Sequence, residues 1–514
     1  MAEPLENDLF DQLRQKSTQD ELNKRTKEIQ TRLMSHYEKQ ERRIGSTLDN
    51  NSTIPVTISE VRVLSAPKTR RGFLDRIVSP IISKDNAEPY TLVEARKAID
   101  KVAARLSKLG IYQHPISVYI DKPDPTEASS TPTDLKVYFN AKEGSWYTIK
   151  TGTEAGTAEG SIYGNAQFRN LFGGAEALNI HASKGTRTRS VISAAFDTPI
   201  LSNPDLRWEI SGLTSSTLKP WASHEEVLKG GSTKFKYETQ RGHLHEIGYS
   251  GMWRQLTSLA SNASPGIRLE AGDSFKSSLS HTWIADHRDN RLLPSRGFLL
   301  KTVSELAGVG PLKGDVGFGK LEAESQLAVP IPIPGIKGDS GVAINAGFRA
   351  GLLYPLTVGG SSGPVASRFS DRFQLGGPTD VRGFKMAGLG PHDGPDALGG
   401  DMYAAGGVSL LVPLPRTGKE SPLRLQAFLN AGRLVALKGK PKDGAAMDSE
   451  SVKQSVKKTL EELKKDHPSA AAGVGLVYAH PLARFELNVS MPLAIRKDEL
   501  ARKGLQFGIG ITFM

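Results

Sequence analysis

Ala483-Arg484-Phe485-Glu486-Leu487-Asn488-Val489-Ser490-Met491 alternates apolar and polar residues without a break. A period of two sets Ala483, Phe485, Leu487, Val489 and Met491 on one face of a strand. Arg484, Glu486, Asn488 and Ser490 fall on the other. The chain ends the same way: Leu505, Phe507, Ile509, Ile511 and Phe513 interleave with Gln506, Gly508, Gly510 and Thr512. Upstream, Leu206, Trp208 and Ile210 interleave with Arg207, Glu209 and Ser211. From Trp146 to Met514 the pattern divides into about sixteen such runs, among them 145–155, 159–172, 231–241, 267–286, 422–437, 481–494 and 504–514. Alternation also suits a soluble sandwich. Two features favour a closed barrel. Many runs exceed the roughly five or six residues of globular strands, and the apolar last run would be a bare edge unless another strand paired with it. Pairing 504–514 with 145–155 closes the sheet, and an even strand number suits a single-chain barrel.

Composition agrees. Hydrophobic content is 38% and mean hydropathy −0.33, and no run approaches the roughly 18 to 20 apolar residues of a membrane helix. Barrel strands need only about 9 to 11 residues, half of them facing a polar lumen. Fifty-two glycines suit many tight turns, and the lack of cysteine excludes disulfides and thiol chemistry. The acidic opening Met1-Ala2-Glu3-Pro4-Leu5-Glu6-Asn7-Asp8 is neither a secretory signal nor an Arg-rich transit peptide. Cytosolic synthesis and import by an internal signal is the expectation. The net charge of +11 comes from dispersed Lys and Arg with no nucleic-acid-binding signature, so nucleic acid is not an expected partner. No phosphate-binding loop, metal spacing or nucleophile elbow is present. His243 with His245, Asp393 with Asp396, and Ser280 with His281 read as scattered surface residues. Neither an enzyme nor a cofactor or metal is expected.

In chain order, residues 1–52 are a charged arm, helical or disordered. Residues 53–143 read as a small α+β module. It has a strand through Ile54, Val56 and Ile58, a helix over 71–83, and a second helix capped by Thr91 and Glu94 and stopped at Gly110. Two strands follow, through Ile116–Ile120 and Leu135–Phe139. Residues 145–514 form the barrel, with an inward-folding loop over 357–400. A helix over 451–465 reads as a solvated loop helix as readily as one docked on a partner, the membrane or the barrel rim.

The loop carries Asp371-Arg372-Phe373-Gln374-Leu375-Gly376-Gly377-Pro378-Thr379-Asp380-Val381-Arg382-Gly383-Phe384. Its Gly and Pro exclude a regular strand. Parity places Leu423, Leu425, Ala427 and Leu429 toward lipid, and Arg424, Gln426, Phe428, Asn430 and Gly432 toward the lumen. An inward loop would bring Arg382 to that wall, where Asn430 and backbone carbonyls can accept its donors and Phe428 offers a ring face.

These stretches resemble motifs of the outer-membrane β-barrel assembly superfamily. Val381-Arg382-Gly383-Phe384 resembles its sixth-loop signature, and Phe428-Leu429-Asn430-Ala431-Gly432 its lumenal Phe-x-Asp-x-Gly motif. Asn170-Leu171-Phe172-Gly173 and Asp286-His287-Arg288-Asp289-Asn290 with Gly297 resemble its turns after the second strand and between the eighth and ninth. The module at 53–143 is similar to a polypeptide-transport-associated (POTRA) domain. A single such domain at this length is most similar to core subunits of the mitochondrial sorting and assembly machinery. Asn430 departs from the motif's Asp, so the resemblance leaves the acceptor for Arg382 open to another lumenal acid.

The resemblance implies insertion of β-barrel precursor clients into the mitochondrial outer membrane, with the POTRA domain in the intermembrane space and peripheral subunits on the cytosolic face. The implied route is a lateral gate between Tyr147, Ile149, Thr151 and Gly152 on the first strand and Gln506, Gly508, Gly510 and Phe513 on the last. The Thr/Gly-rich first strand specifies its register weakly, so an opened seam would offer backbone groups to a client strand. The alternative on the same scaffold is a passive pore or protein-translocating channel.

Overall fold

The computed structural model describes residues 26, 29, 32, 51–82, 89–123, 131–156, 159–332, 340–357, 367–414, 421–437, 449–481 and 483–510. The 1–52 arm lies almost wholly outside them. The chain divides into two compact units, 1–144 and 145–514.

The first unit contains β1 (Pro55–Leu64), α1 (Arg71–Val78), β2 (Tyr90–Thr91), α2 (Leu92–Lys108), β3 (Ser117–Asp121) and β4 (Asp134–Asn140). Its sheet runs β2-β1-β4-β3, with β1 parallel to β4. The capping box forms: the Glu94 amide donates to the Thr91 hydroxyl, and the Glu94 carboxylate accepts from the Thr91 amide at 3.0 Å. Ala95, Ile99, Val102 and Leu106 on α2 are buried, as are Ile58, Val137 and Phe139 on the sheet. The α1 helix ends at Val78 rather than running to 83. Pro80 has no N–H to continue it, and a 3-10 turn over Ser79–Ile81 follows. This α+β unit fits a POTRA domain.

The second unit is a single antiparallel sheet of sixteen strands. It runs from β5 (Tyr147–Gly156) to β15 (Ala343–Pro355), then through β18 (Met402–Pro413), β19 (Leu423–Val435), β20 (Ser469–Ala479), β21 (Arg484–Ala494) and β22 (Gly504–Gly510). A short ladder, β16 (His392–Asp393) with β17 (Asp396–Ala397), lies within the loop between β15 and β18. Consecutive strands pair around the whole sheet. The end strands β5 and β22 approach within 8 Å at their Cα atoms, so the sheet curls into a barrel. The expectation that hydrogen bonding between 504–514 and 145–155 closes the barrel is not met among the described residues, since no ladder joins β5 to β22.

Burial is inverted relative to a water-soluble protein. Leu429, Val489 and Leu505 are 51%, 53% and 60% exposed, whereas their neighbours Asn430, Asn488 and Gln506 are 2%, 1% and 3% exposed. The apolar residues therefore face outward and the polar ones line the interior, as a barrel in hydrocarbon requires. Among the described residues no helix is long and apolar enough to cross a membrane.

Two strand boundaries differ most from expectation. The run read as 231–241 is β10 (His224–Glu238), in register with β9 (Leu206–Lys219) over its whole length. Its polar first residues are stabilised by ion pairs from Arg189 to Glu225 and from Lys219 to Glu226, contacts invisible to a local pattern. The run read as 267–286 begins with a helix, α3 (Pro265–Leu269), and becomes strand β12 only over Gly272–Asp286. The interrupting helix, α4 (Ser449–Lys465), is docked and not merely solvated. Val452 and Thr459 are fully buried, and Arg433 donates to the last-turn carbonyl of Glu462 and, at 3.0 Å, to that of Asp466 just past the helix. A cation at a helix C-terminus also complements the helix dipole.

Candidate functional site

The inward loop is described over 367–401, and its core is apolar. Phe373, Leu375, Val381, Phe384 and Leu389 are buried in one cluster with Phe318, Leu353, Leu434 and Ala471 of the barrel wall. Within the loop, the Gly376 amide donates to the Asp380 carboxylate at 2.8 Å, and Asp380 is ion-paired with Arg349 of the wall.

This packing presses Arg382 into the interior with no solvent exposure. Its Nε donates to Glu486 Oε2 at 2.8 Å and its Nη2 to Oε1 at 3.0 Å. Such a two-pronged pair is the strong form of an arginine–carboxylate contact. Its guanidinium carbon lies 5.0 Å from the centre of the Phe428 ring. Glu486, equally buried, also accepts from Arg484 Nη2 at 2.5 Å and Asn488 Nδ2 at 2.8 Å. One carboxylate thus sits between two guanidiniums.

Asn430 is beside Arg382 but serves its backbone. The amide orientation that satisfies both groups accepts from the Arg382 N–H at 3.1 Å and donates to the Leu429 carbonyl at 3.2 Å. Phe428 and Asn430 thus lie beside Arg382, while its side-chain acceptor is Glu486. Glu486 was legible as an acid on the polar face of the 481–494 run. No signal in the sequence joined it to a loop 104 residues upstream.

The loop is also strapped to the last strand. The Gly383 amide donates to Gln506 Oε1 at 2.9 Å, and Gln506 Nε2 donates to the Phe384 carbonyl at 3.3 Å. The Arg502 amide donates to the Gly383 carbonyl at 2.8 Å, and the Lys385 amide to that of Leu500 at 2.9 Å. Gly383 has φ +88°, and a Cβ there would lie 2.5 Å from that of Ala471, so glycine is required twice over. Gly432, on β19, gives room to Leu375 and Val381, each 3.0 Å from where its Cβ would stand.

The expected gate residues lie at the two ends of the sheet. On β5, Tyr147 and Ile149 face outward, 47% and 62% exposed, while Thr151 and Gly152 pair with Gly164 and Tyr163. On β22, Gly508 and Gly510 pair with Glu486 and Arg484 of β21. Phe513 lies outside the described residues.

Of the turns, Asn170 adopts φ +56° and accepts from the Ala175 amide at 3.1 Å, while Glu176 accepts from the amides of Phe172 and Gly174. Phe172 is exposed and Gly173 has φ +76°. The turn before β13 (Gly297–Ala307) touches β21, because Arg484 Nη1 donates to the Leu292 carbonyl at 3.2 Å, and Arg484 shares the Glu486 carboxylate with Arg382. Within that turn Asp286 pairs with Arg288 at 2.8 Å, and Asp289 accepts from the Ser295 amide at 3.0 Å. Burial pushes the Asp289 carboxyl up, but hydrogen bonds from Ser295 and Arg296 outweigh it and hold the group below the usual range. A Cβ on Gly297 would lie 2.1 Å from the His287 carbonyl oxygen.

Among the described residues no cluster of His, Asp and Glu could hold a metal. The arrangement is a seated loop joining the last two strands, beside a seam with no ladder among the described residues.

Comparison with known proteins gives concordant results. The Omp85 superfamily domain matches residues 170–513. A SAM50-like protein of Schizosaccharomyces pombe is 37% identical, over 92% of this chain and 94% of its own. The sorting and assembly machinery component 50 homolog of Homo sapiens is 33% identical, over 82% of this chain and 84% of its own. Among solved structures, BamA from Haemophilus ducreyi lacking POTRA domains 1–3 superposes with a TM-score of 0.65. It covers 88% of this chain and 84% of that one, at 13% identity, and so speaks to the fold alone.

Proposed function

The chain belongs to the Omp85 superfamily, and from that premise we propose that it inserts β-barrel precursor proteins into the mitochondrial outer membrane through a lateral gate between β5 and β22. It works as a sorting and assembly component without catalysis, alongside peripheral subunits on the cytosolic face and with the POTRA domain in the intermembrane space. The observation that carries this reading is the seam. Fifteen ladders join the sixteen strands in sequence, and among the described residues the sixteenth junction has none. In hydrocarbon an unladdered strand edge is costly, because no water satisfies its N–H and C=O groups. A client strand that adds to the edge by β-augmentation relieves that cost. The two edges are unequal. Gln506 fastens β22 to the loop, which Arg382 anchors to β21 through Glu486. β5 has weak alternation in Tyr147-Thr148-Ile149-Lys150-Thr151-Gly152-Thr153 and is the edge suited to exchange partners.

The test is site-specific photocrosslinking during insertion of a labelled barrel precursor into vesicles bearing this chain. A probe at Thr151 is expected to crosslink the precursor when irradiated early and to yield no crosslink when irradiated after insertion completes. A precursor captured only by lumenal positions such as Asn488, and never at Thr151, would favour the translocating channel and defeat the gate.

A further inference from the structure

Both arms of the inward loop are rooted on one side of the barrel. Asp371, 3% exposed, accepts from Arg254 Nη1 of β11 (Leu244–Thr257) at 2.6 Å, and the Lys276 ammonium of β12 lies 3.7 Å from the same oxygen. Next to it, Arg372 Nη2 donates to Glu270 Oε1 at 2.5 Å, and Phe369 is buried in one cluster with Leu256 and Ile267. On the returning arm the Asp396 carboxylate accepts from the Ser264 amide at 2.7 Å, and that of Asp393 from the Gly266 amide at 3.0 Å. Arg254 and Asp371 thus form a second buried ion pair, separate from that of Arg382 and Glu486. Such a pair holds its geometry because either charge alone is costly to bury.

The two pairs stand on opposite walls. In the order of the sheet β11 is eight strands from β21, half of the sixteen. The segment between Asp371 and Arg382 therefore bridges the interior, and on the way Phe373 packs edge-on against Tyr403 of β18, with ring centres 4.7 Å apart. Where the loop is rooted decides how often its tip finds its seat. The local concentration of a tethered group falls roughly as the −3/2 power of the free tether. Eleven residues separate Asp371 from Arg382, whereas twenty-seven separate Pro355, the last residue of β15, from it. By that scaling the root at Asp371 raises the concentration of the tip at its seat by about fourfold.

We propose that Asp371 is a positioning residue for the loop tip. Held by Arg254, it roots the loop on the wall opposite β21, and Arg382 to Phe384 stay seated against Glu486 and Gln506 as a result. The strap on the last strand then depends on an ion pair half the barrel away. The proposal goes beyond the insertase reading and stands or falls separately from it, because its test involves no client insertion.

Hydrogen–deuterium exchange of the full chain in detergent, read by mass spectrometry, follows the strap. Its amides are those of Gly383, Lys385 and Arg502, which donate to Gln506 Oε1 and to the Leu500 and Gly383 carbonyls. Asp371→Asn keeps the shape of the side chain and removes the charge that Arg254 meets. In this variant the strap amides are expected to exchange about fourfold faster or more, while the amides of the β9–β10 ladder keep their original rates. Heat-dependent gel mobility checks that the variant is a folded barrel. Should it not fold, Glu270→Gln replaces it, loosening the same root at the half-buried carboxylate that holds Arg372, with the same outcome expected. Faster exchange confined to Asp371 and Arg372, with the strap unchanged, would overturn the proposal by showing that the root orders only its own segment. Equal acceleration in the strap and in the strand ladders would overturn it too, by showing that Asp371 supports the barrel as a whole.

Discussion

Replacing Glu486 with alanine should cost far more than replacing Asn430, although Asn430 occupies the acidic position of the family motif. The Glu486 carboxylate accepts two bonds from Arg382 at 2.8 and 3.0 Å, one from Arg484 at 2.5 Å and one from Asn488 at 2.8 Å. Its removal takes away the carboxylate shared by two guanidiniums, 0% and 7% exposed at their side chains. Breaking a buried ion pair from one side costs roughly 3 to 5 kcal/mol. Asn430→Ala removes one neutral acceptor from the Arg382 backbone, worth about 1 kcal/mol. Urea unfolding of the purified chain in detergent, followed by tryptophan fluorescence, measures both losses. A double-mutant cycle of Arg382→Ala with Glu486→Ala should give a coupling of about 1 to 3 kcal/mol, with the Phe428 contact cancelling in the cycle. Equal losses for Glu486→Ala and Asn430→Ala, or a coupling near zero, would refute the assignment of Glu486 as the anchor of the loop.

Three further outcomes are expected. Gly383→Ala should destabilise the seated loop by roughly 1 to 3 kcal/mol, since its Cβ meets Ala471 and its φ is +88°; the same urea titration reads the shift. Burial pushes the Tyr112 phenol up to about 12 from 10.0. Its contribution is therefore intact below pH 10 and is lost as pH rises toward 12, where ionisation in the unfolded state gains about 2 to 3 kcal/mol over the folded one. Alkaline unfolding of the 1–144 unit within the full chain should show that slope, and Tyr112→Phe should remove most of it. Arg433→Ala removes the donor to the Asp466 carbonyl at 3.0 Å and to its carboxylate at 2.8 Å. Trypsin should then cut α4 at Lys457, Lys458, Lys464 and Lys465 severalfold faster, with the barrel's unfolding midpoint little changed.

Much of the barrel was legible because its code is local. Alternation with period two decides which side chains meet lipid, so on β19 Phe428, Asn430 and Gly432 are buried while Leu425 and Leu429 are exposed. The capping box of Thr91 and Glu94 was legible for the same reason. What escaped depends on partners far away in the chain. The start of β10 reads as a polar loop until Glu225 and Glu226 find Arg189 and Lys219. Pro265–Leu269 is too short for a helical period to show. The docking of α4 rests on Arg433, a residue on another element. Glu486 is one of many polar residues facing the lumen, and only the folded loop singles it out.

The seam between β5 and β22 carries the functional account, and locking it tests that account most directly. The chain has no cysteine, so Thr151→Cys with Gly508→Cys supplies its only thiols. Bridged by oxidation or a short bis-maleimide, the two strands should no longer part, and insertion of barrel precursors should stop. After oxidation, reduction should restore it. Insertion at an unchanged rate through a fully bridged seam would contradict the account.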